Sequence, residues 1–282
     1  MLQDIQPPPV VLVFAGLDPT GGAGLSADIE AIISQGCHAA PIATALTVQN
    51  TRNVLGVRAI DPLWVIEQAR ALIEDMPIAA VKIGMLGSAG MVEAIHTLLR
   101  DLPHIPVILD PVLQAGGGTE LANEALIEAM RELLLPQSTI ITPNSLEARR
   151  LALGADNLHA CALSLLEQGS EYVLITGTHE PGDEVENLLF ASHRLLETYA
   201  WPRLDGSFHG SGCTLASAIA GLMAQGNEPM TAIHQAQDYT WQTLEQAYRL
   251  GRGQMMPNRL FWGGGSEEDV LNDGDVQHAR LH

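Results

Sequence analysis

Residues suited to anion chemistry gather in the stretch "SFHGSGCTLASAIAG", Ser207 to Gly221. Gly210 and Gly212 permit a sharp turn that presents successive backbone N–H groups, and the apolar run behind them has the pattern of a buried helix. The positive end of that helix dipole, added to the free amides, makes an anion site without any lysine, and phosphate suits it. Cys213 falls in the first turn, where the dipole favours thiolate over thiol and lowers the pKa. Such a thiol could act as a base toward a hydroxyl or as a nucleophile; the plain alternative is a small apolar residue packed in the interior.

Other stretches carry related chemistry. Gly21, Gly22 and Gly24 of "GLDPTGGAGLSAD" allow either close approach to a ligand or a tight strand-to-helix connection, and Asp28 comes early in the following helix. The spacing is not that of a GxGxxG dinucleotide fingerprint. In "LDPV", Asp110 ends an otherwise apolar strand, a costly place for a carboxylate unless a cation or hydrogen-bond donors meet it. Magnesium bridged to phosphate oxygens would meet it. Asn144 and Glu147 of "TPNSLE" stand three apart at a helix start and share a face, and an N-cap with its capping partner explains that spacing as well. The histidines, His179 and His209 among them, show no metal-ligand spacing and read as surface or supporting residues.

These residues need a scaffold, and the chain supplies one by alternating short apolar runs with amphipathic segments. Strands are expected at Val10 to Gly16, Ala40 to Leu46, Ile78 to Met85, Pro106 to Val112, Ser138 to Asn144 and Glu171 to Gly177. Helices are expected at Asp61 to Glu74, Ala89 to Arg100 and Glu120 to Leu134. A later pair of strands should turn near Ser192 and His193, followed by two apolar helices, about Gly212 to Gln225 and Pro229 to Tyr248. This repeat predicts an α/β fold with a mostly parallel sheet covered by helices on both faces, and ligands bind beyond the carboxyl ends of such strands. The polar and glycine residues do concentrate at those ends.

Composition narrows the function further. With 33 acidic against 14 basic residues the formal net charge is −19, which disfavours nucleic acid as a partner. Lys82 is the sole lysine and does not stand in a Gly-Lys-Ser/Thr motif, so a P-loop is excluded. Cys37, Cys161 and Cys213 are far apart and odd in number, which predicts free thiols. No apolar run approaches the roughly 20 residues of a membrane span and the start lacks a signal-peptide pattern, so a cytoplasmic protein is expected. One domain over residues 1–262 is expected, with an acidic tail, 263–282, of disordered composition.

Taken in order, "AGLDPTGGAGLSAD", "ALTVQNT", "VKIGML", "LDPV", "ITPNSLEA" and "HGSGCTLASAIA" resemble the hydroxymethylpyrimidine and phosphomethylpyrimidine kinases of thiamine biosynthesis, a branch of the ribokinase-like superfamily. The resemblance runs from about Val10 to Tyr248. It implies a three-layer ribokinase-like α/β fold, ATP with Mg2+, a homodimer, and phosphoryl transfer to a pyrimidine bearing a hydroxymethyl or phosphomethyl group. It also implies that Gly16, Asp28, Gln49, Met85 and Val112 surround the pyrimidine. Asp110, Asn144 and Glu147 would serve the metal and the nucleotide phosphates, with Asp110 and Glu147 as the metal's carboxylates. Gly210, Ser211 and Gly212 would supply the catalytic amides beside a catalytic Cys213. The chain departs from the family at "TGTH", where Thr176 stands for a phosphate-contacting lysine, and in "LQAGGGTEL", where a second lysine is absent. Pyridoxal kinase, which shares fold and cysteine, and a catalytically silent pyrimidine-binding relative are the alternatives.

Overall fold

Val13 and Phe14 are adjacent on one strand, yet their side chains enter different cores, which is why the apolar runs are continuous and not alternating. The computed structural model describes residues 6–263, so all of the expected tail except Gly263 lies outside the described residues. Among these, nine strands form one sheet: β1 (Val10–Leu17), β2 (His38–Gln49), β3 (Val54–Ala59), β4 (Ile78–Ile83), β5 (Val107–Leu109), β6 (Ile140–Ile141), β7 (Tyr172–Ile175), β8 (Glu184–Ala191) and β9 (Arg194–Pro202). Their spatial order is β3-β2-β1-β4-β5-β6-β7-β8-β9. The six from β2 to β7 in that order run parallel, while β3, β8 and β9 pair antiparallel at the edges.

Helices cover both faces, giving the expected three layers. One core packs under α2 (Pro62–Asp75), α3 (Ala89–Leu99), α4 (Glu124–Ala129), α5 (Ser145–Leu151) and α6 (Leu158–Glu167), with Leu12, Phe14, Ile83 and Leu109 from the sheet. The other lies under α1 (Gly24–Ser34), α7 (Ser211–Ala224) and α8 (Pro229–Glu245), with Val11, Val13, Ala80 and Ile108. The chain reverses its winding between β1 and β4, and that switch point opens the crevice where parallel sheets bind ligands.

Several boundaries move for identifiable reasons. The segment expected as one helix from Glu120 begins only at α4, because Asn123 caps it by accepting from the Leu126 amide at 3.0 Å. It then loosens into a π turn at Met130–Leu134 and a 3-10 turn at Leu135–Gln137, where Pro136 has no N–H to continue it. α8 stops at Glu245, since the Tyr248 amide bonds instead to the Met256 carbonyl at 3.0 Å. The β8–β9 turn falls at Ser192 and His193, both with positive φ, as expected.

Candidate active site

A cavity of about 560 Å³ opens at the carboxyl ends of the parallel strands. Its wall includes Gly16, Gln49, Met85, Asp110, Val112, Asn144, Glu147 and Thr176, together with Gly210, Ser211, Gly212 and Cys213 at the start of α7. Asp28 is the exception and requires a correction. Its carboxylate is fully buried off the cavity wall, where Oδ1 accepts from Lys82 Nζ at 2.7 Å and from Ser217 Oγ at 2.7 Å. A carboxylate on a buried helix face pairs with a cation in reach, here Lys82, and Asp28 stands behind the wall with Oδ1 engaged and Oδ2 without a hydrogen-bond partner, not on the pyrimidine-facing surface expected of it.

The two glycine-rich stretches interlock. Gly210 takes a left-handed conformation (φ 73°) as the N-cap of α7, and a Cβ there would strike the Gly22 carbonyl. A Cβ on Gly22 would in turn strike the His209 ring. His209 is buried, with Nε2 2.7 Å from Asp18 Oδ2 and 2.8 Å from Gln49 Nε2. Asp18 also accepts from the Thr20 amide at 2.8 Å and the Ala23 amide at 3.0 Å. Burial pushes the Asp18 carboxyl up, but hydrogen bonds from His209 and Thr20 outweigh it and hold it below its ordinary value. Arg259, beyond α8, ties the pair together: Nε donates to Thr214 Oγ1 on α7 (2.8 Å), NH2 to the Gly22 carbonyl, and NH1 to Glu30 (3.0 Å).

This clamp fixes the amides of Ser211, Gly212 and Cys213, which precede the first helical bond of α7, Thr214 N–H to the Gly210 carbonyl at 2.9 Å. Nothing stands close above Gly212: a Cβ there would meet only Asp110 Oδ1, at 3.9 Å. The floor beneath is crowded with acid. Lys82 Nζ lies 3.9 Å from Asp110 Oδ2, an oxygen that has no hydrogen-bond partner. Burial raises the Asp110 carboxyl above its ordinary value despite Lys82. The Cys213 thiol is pushed up to about 12 by burial, with Lys82 opposing and Asp110 and Asp28 adding to the rise. The thiol thus moves opposite to the expected lowering, because desolvation, with the two nearby carboxylates, outweighs Lys82.

Asn144 and Glu147 do form the capping box. Asn144 Oδ1 accepts from the Leu146 and Glu147 amides at 2.9 and 3.0 Å, and Glu147 Oε2 from the Asn144 amide at 2.9 Å. Glu147 also faces the cavity, and burial, then Asp110, raise it to about 8. Among the described residues no group of three or more His, Cys, Asp or Glu side chains is placed to hold a metal. Two hard oxygen donors with one orphaned buried oxygen fit a divalent cation that takes its remaining ligands from phosphate and water.

Toward β8 and β9 the wall changes character. Thr176 closes the β7 end, its carbonyl accepting from the Ser145 amide at 3.0 Å. Trp201 and Trp241 stack with centroids 6.4 Å apart, and buried Gln237 accepts from Asn187 at 2.8 Å and Trp201 at 3.2 Å. Arg203 spends its guanidinium on the carbonyls of Thr178, Glu180, Gly182 and Glu184. His209 takes a supporting position, one of the two readings the sequence left open for it, whereas sequence reasoning missed the roles of Lys82 and Arg259. A lysine inside an apolar strand was the available signal for Lys82, whereas nothing local marked Arg259.

Comparison with known proteins agrees with this geometry. The phosphomethylpyrimidine kinase family matches residues 18–258. The hydroxymethylpyrimidine/phosphomethylpyrimidine kinase of Streptomyces coelicolor is 37% identical over 251 residues, covering 87% of this chain and 92% of that one. The thiamine biosynthesis bifunctional protein of Geobacter sulfurreducens is 37% identical over 269 residues, 92% of this chain but 53% of the relative, so the chain spans about half the length of that bifunctional protein. Among solved structures, an ADP complex of Bacillus subtilis pyridoxal kinase superposes with a TM-score of 0.81 at 26% identity, covering 90% of this chain and 99% of that one. With most of its length matched and its glycine clamp, Asp110 and Cys213 on one cavity wall, the chain belongs to the phosphomethylpyrimidine kinase family.

Proposed function

We propose that this chain phosphorylates 4-amino-5-hydroxymethyl-2-methylpyrimidine, its monophosphate or both, with ATP and Mg2+, as a step of thiamine biosynthesis. The observation that carries the reading is that the α7 residues whose amides precede its first helical bond and the carboxylate of Asp110, with one oxygen unpartnered, line one cavity. Phosphoryl transfer needs little covalent help from protein, so donors fixed in advance around the moving charge supply most of the catalysis. Ser211, Gly212 and Cys213 amides would receive the transferring group. Gln49, Gly16, Met85 and Val112 would seat the pyrimidine, with Gln49 beside His209. Asp110 and Glu147 would hold the magnesium, which neutralises phosphate charge when bound, while Asn144 and Thr176 face the phosphates. Cys213 Sγ would lie against the acceptor hydroxyl. Its resting thiol must ionise before it can take the hydroxyl proton, so the amides bear the larger share.

The domain reading is one kinase domain over residues 1–262. No described helix is long and apolar enough to cross a membrane, and the cytoplasm is the proposed compartment. A homodimer is supported by the β2–β3 edge, where Leu46, Val48, Leu55 and Val57 are 42–69% exposed. The likeness to a pyridoxal kinase keeps that substrate as the second reading. Steady-state ADP release with each pyrimidine and with pyridoxal decides. Turnover with a pyrimidine is expected, a clear preference for pyridoxal overturns the substrate, and pyrimidine binding with no ADP release marks a silent relative.

A further inference from the structure

Five side chains on the cavity wall can carry positive charge: Lys82, Arg150, His179, Arg203 and His209. Three are already committed to neighbours inside the protein. Lys82 is locked to Asp28 in full burial, His209 to Asp18, and Arg203 to four carbonyls. His179 is exposed in the loop beyond β7. Arg150 differs in the kind of partner it keeps. Its NH1 lies 2.8 Å from Glu120 Oε2 and its NH2 4.0 Å from Glu124 Oε1, with side-chain exposures of 34%, 59% and 93% for Arg150, Glu120 and Glu124.

Such open pairs contribute little, because water and salt already satisfy both charges. A guanidinium forms stronger, bidentate bonds with phosphate. Arg150 also stands one turn beyond Glu147 on α5, and both line the cavity beside Asn144. We propose that Arg150 is a phosphate-binding residue that exchanges Glu120 for the terminal phosphates of the nucleotide, making Glu120 a competitor for the same guanidinium. This rests on the kinase reading above. It assigns the nucleotide's charge to an arginine on the rim and leaves Lys82 to the floor.

The test is calorimetric affinity for ATP, ADP and AMP in magnesium buffer, using the whole chain. Arg150→Gln should weaken ATP by about tenfold or more, ADP less, and AMP not at all, as expected for one charge-assisted contact to the outer phosphates. Arg150→Lys should recover part of the loss. Glu120→Gln should tighten ATP by about two- to fivefold, since an exposed competitor is removed. A purely structural latch across the cavity mouth predicts the opposite sign for Glu120→Gln and equal losses for AMP and ATP; either result overturns the proposal, as does unchanged ATP affinity in Arg150→Gln. If the unaltered chain binds no ATP, the kinase reading itself fails, which is a separate outcome.

Discussion

At the switch point between β1 and β4, Lys82 is fully buried against Asp28 and beside Asp110, whereas on α5 Arg149 and Arg150 meet Glu180 and Glu120 in the open. The buried set is rigid for an energetic reason. A buried charge stripped of its partner is strongly destabilising, so the floor can hold only one arrangement. Exposed pairs exchange partners at little cost. On the proposed reading, the end of the cavity that would receive the phosphoryl group is therefore set before any ligand arrives, and the end that would meet the nucleotide keeps charges free to be redirected.

The largest effect expected from breaking the preset end is at Cys213. Cys213→Ser should leave pyrimidine binding and melting temperature close to the parent while kcat falls about 10²- to 10⁴-fold, the range for loss of a positioned proton acceptor. A serine variant as fast as the parent removes Cys213 from the mechanism and leaves the amides to act alone. Cys213→Asp would place a further carboxylate beside Asp110 and Asp28, so its melting temperature should drop. The raised thiol pKa can be read directly. Below about 12 the thiolate fraction grows with pH, so iodoacetamide modification of Cys213 should climb about tenfold per pH unit from 7 to 9 without an inflection. A plateau by pH 8 shows a lowered pKa and restores the ready base that the sequence alone suggested.

Lys82→Met tests the floor. It leaves Asp28 buried with Ser217 as its remaining partner, and the expected loss is about 3–5 kcal/mol in denaturant unfolding. Adding Asp28→Asn should return part of that, since the uncompensated charge goes with it. If Lys82→Met alone costs under about 1 kcal/mol, the floor behaves like a surface pair and the contrast with α5 collapses.

Gly212→Ala separates binding space from packing. The added methyl meets only Asp110 Oδ1, and alanine is the better helix former, so stability should hold or rise. The methyl nevertheless enters the space before the α7 amides, where a displacement of about 1 Å costs roughly 10²-fold in rate. Loss of stability without loss of kcat/KM would make Gly212 a packing residue.

Legibility in the sequence followed the distance over which a residue finds its partner. Gly210, Gly212 and Cys213 announced the glycine-capped start of α7 because the turn and the helix pattern are local, and the capping box of Asn144 and Glu147 is likewise complete within four residues. Parallel strands were visible since burial on both faces leaves unbroken apolar runs. β3 was not, being a half-exposed edge strand with a glycine in the middle. Asp28 was misassigned because its partner Lys82 is 54 residues away, and Arg259 reaches the Gly22 carbonyl across 237 residues with no motif to mark it. The direction of the Cys213 shift was illegible for the same reason: the helix start is written locally, but the burial that raises the thiol, and the Asp110 and Asp28 carboxylates that add to it, arrive through the fold.

The smallest expected effect sharpens the comparison from its open end. Arg149 NH1 donates to Glu180 Oε1 at 2.8 Å and to the Ser145 carbonyl at 3.0 Å, with side-chain exposures of 40% and 36% for the ion pair. Each partner depresses or raises the other's pKa in the usual direction, since the hydrogen bond favours both charged forms. Solvent screens that attraction, and the turn carrying Glu180 is separately held by Arg203 through the Thr178, Glu180 and Gly182 carbonyls. Arg149→Ala should thus cost about 0–1 kcal/mol in unfolding and leave KM for ATP unchanged, because Arg149 is not on the cavity wall. High salt should shrink even that difference. A loss above about 2 kcal/mol, persisting in salt, would mean that the rim is as preset as the floor; Arg150 would then lack the freedom to leave Glu120 cheaply, and the division between a fixed and an exchangeable end of the cavity would not stand.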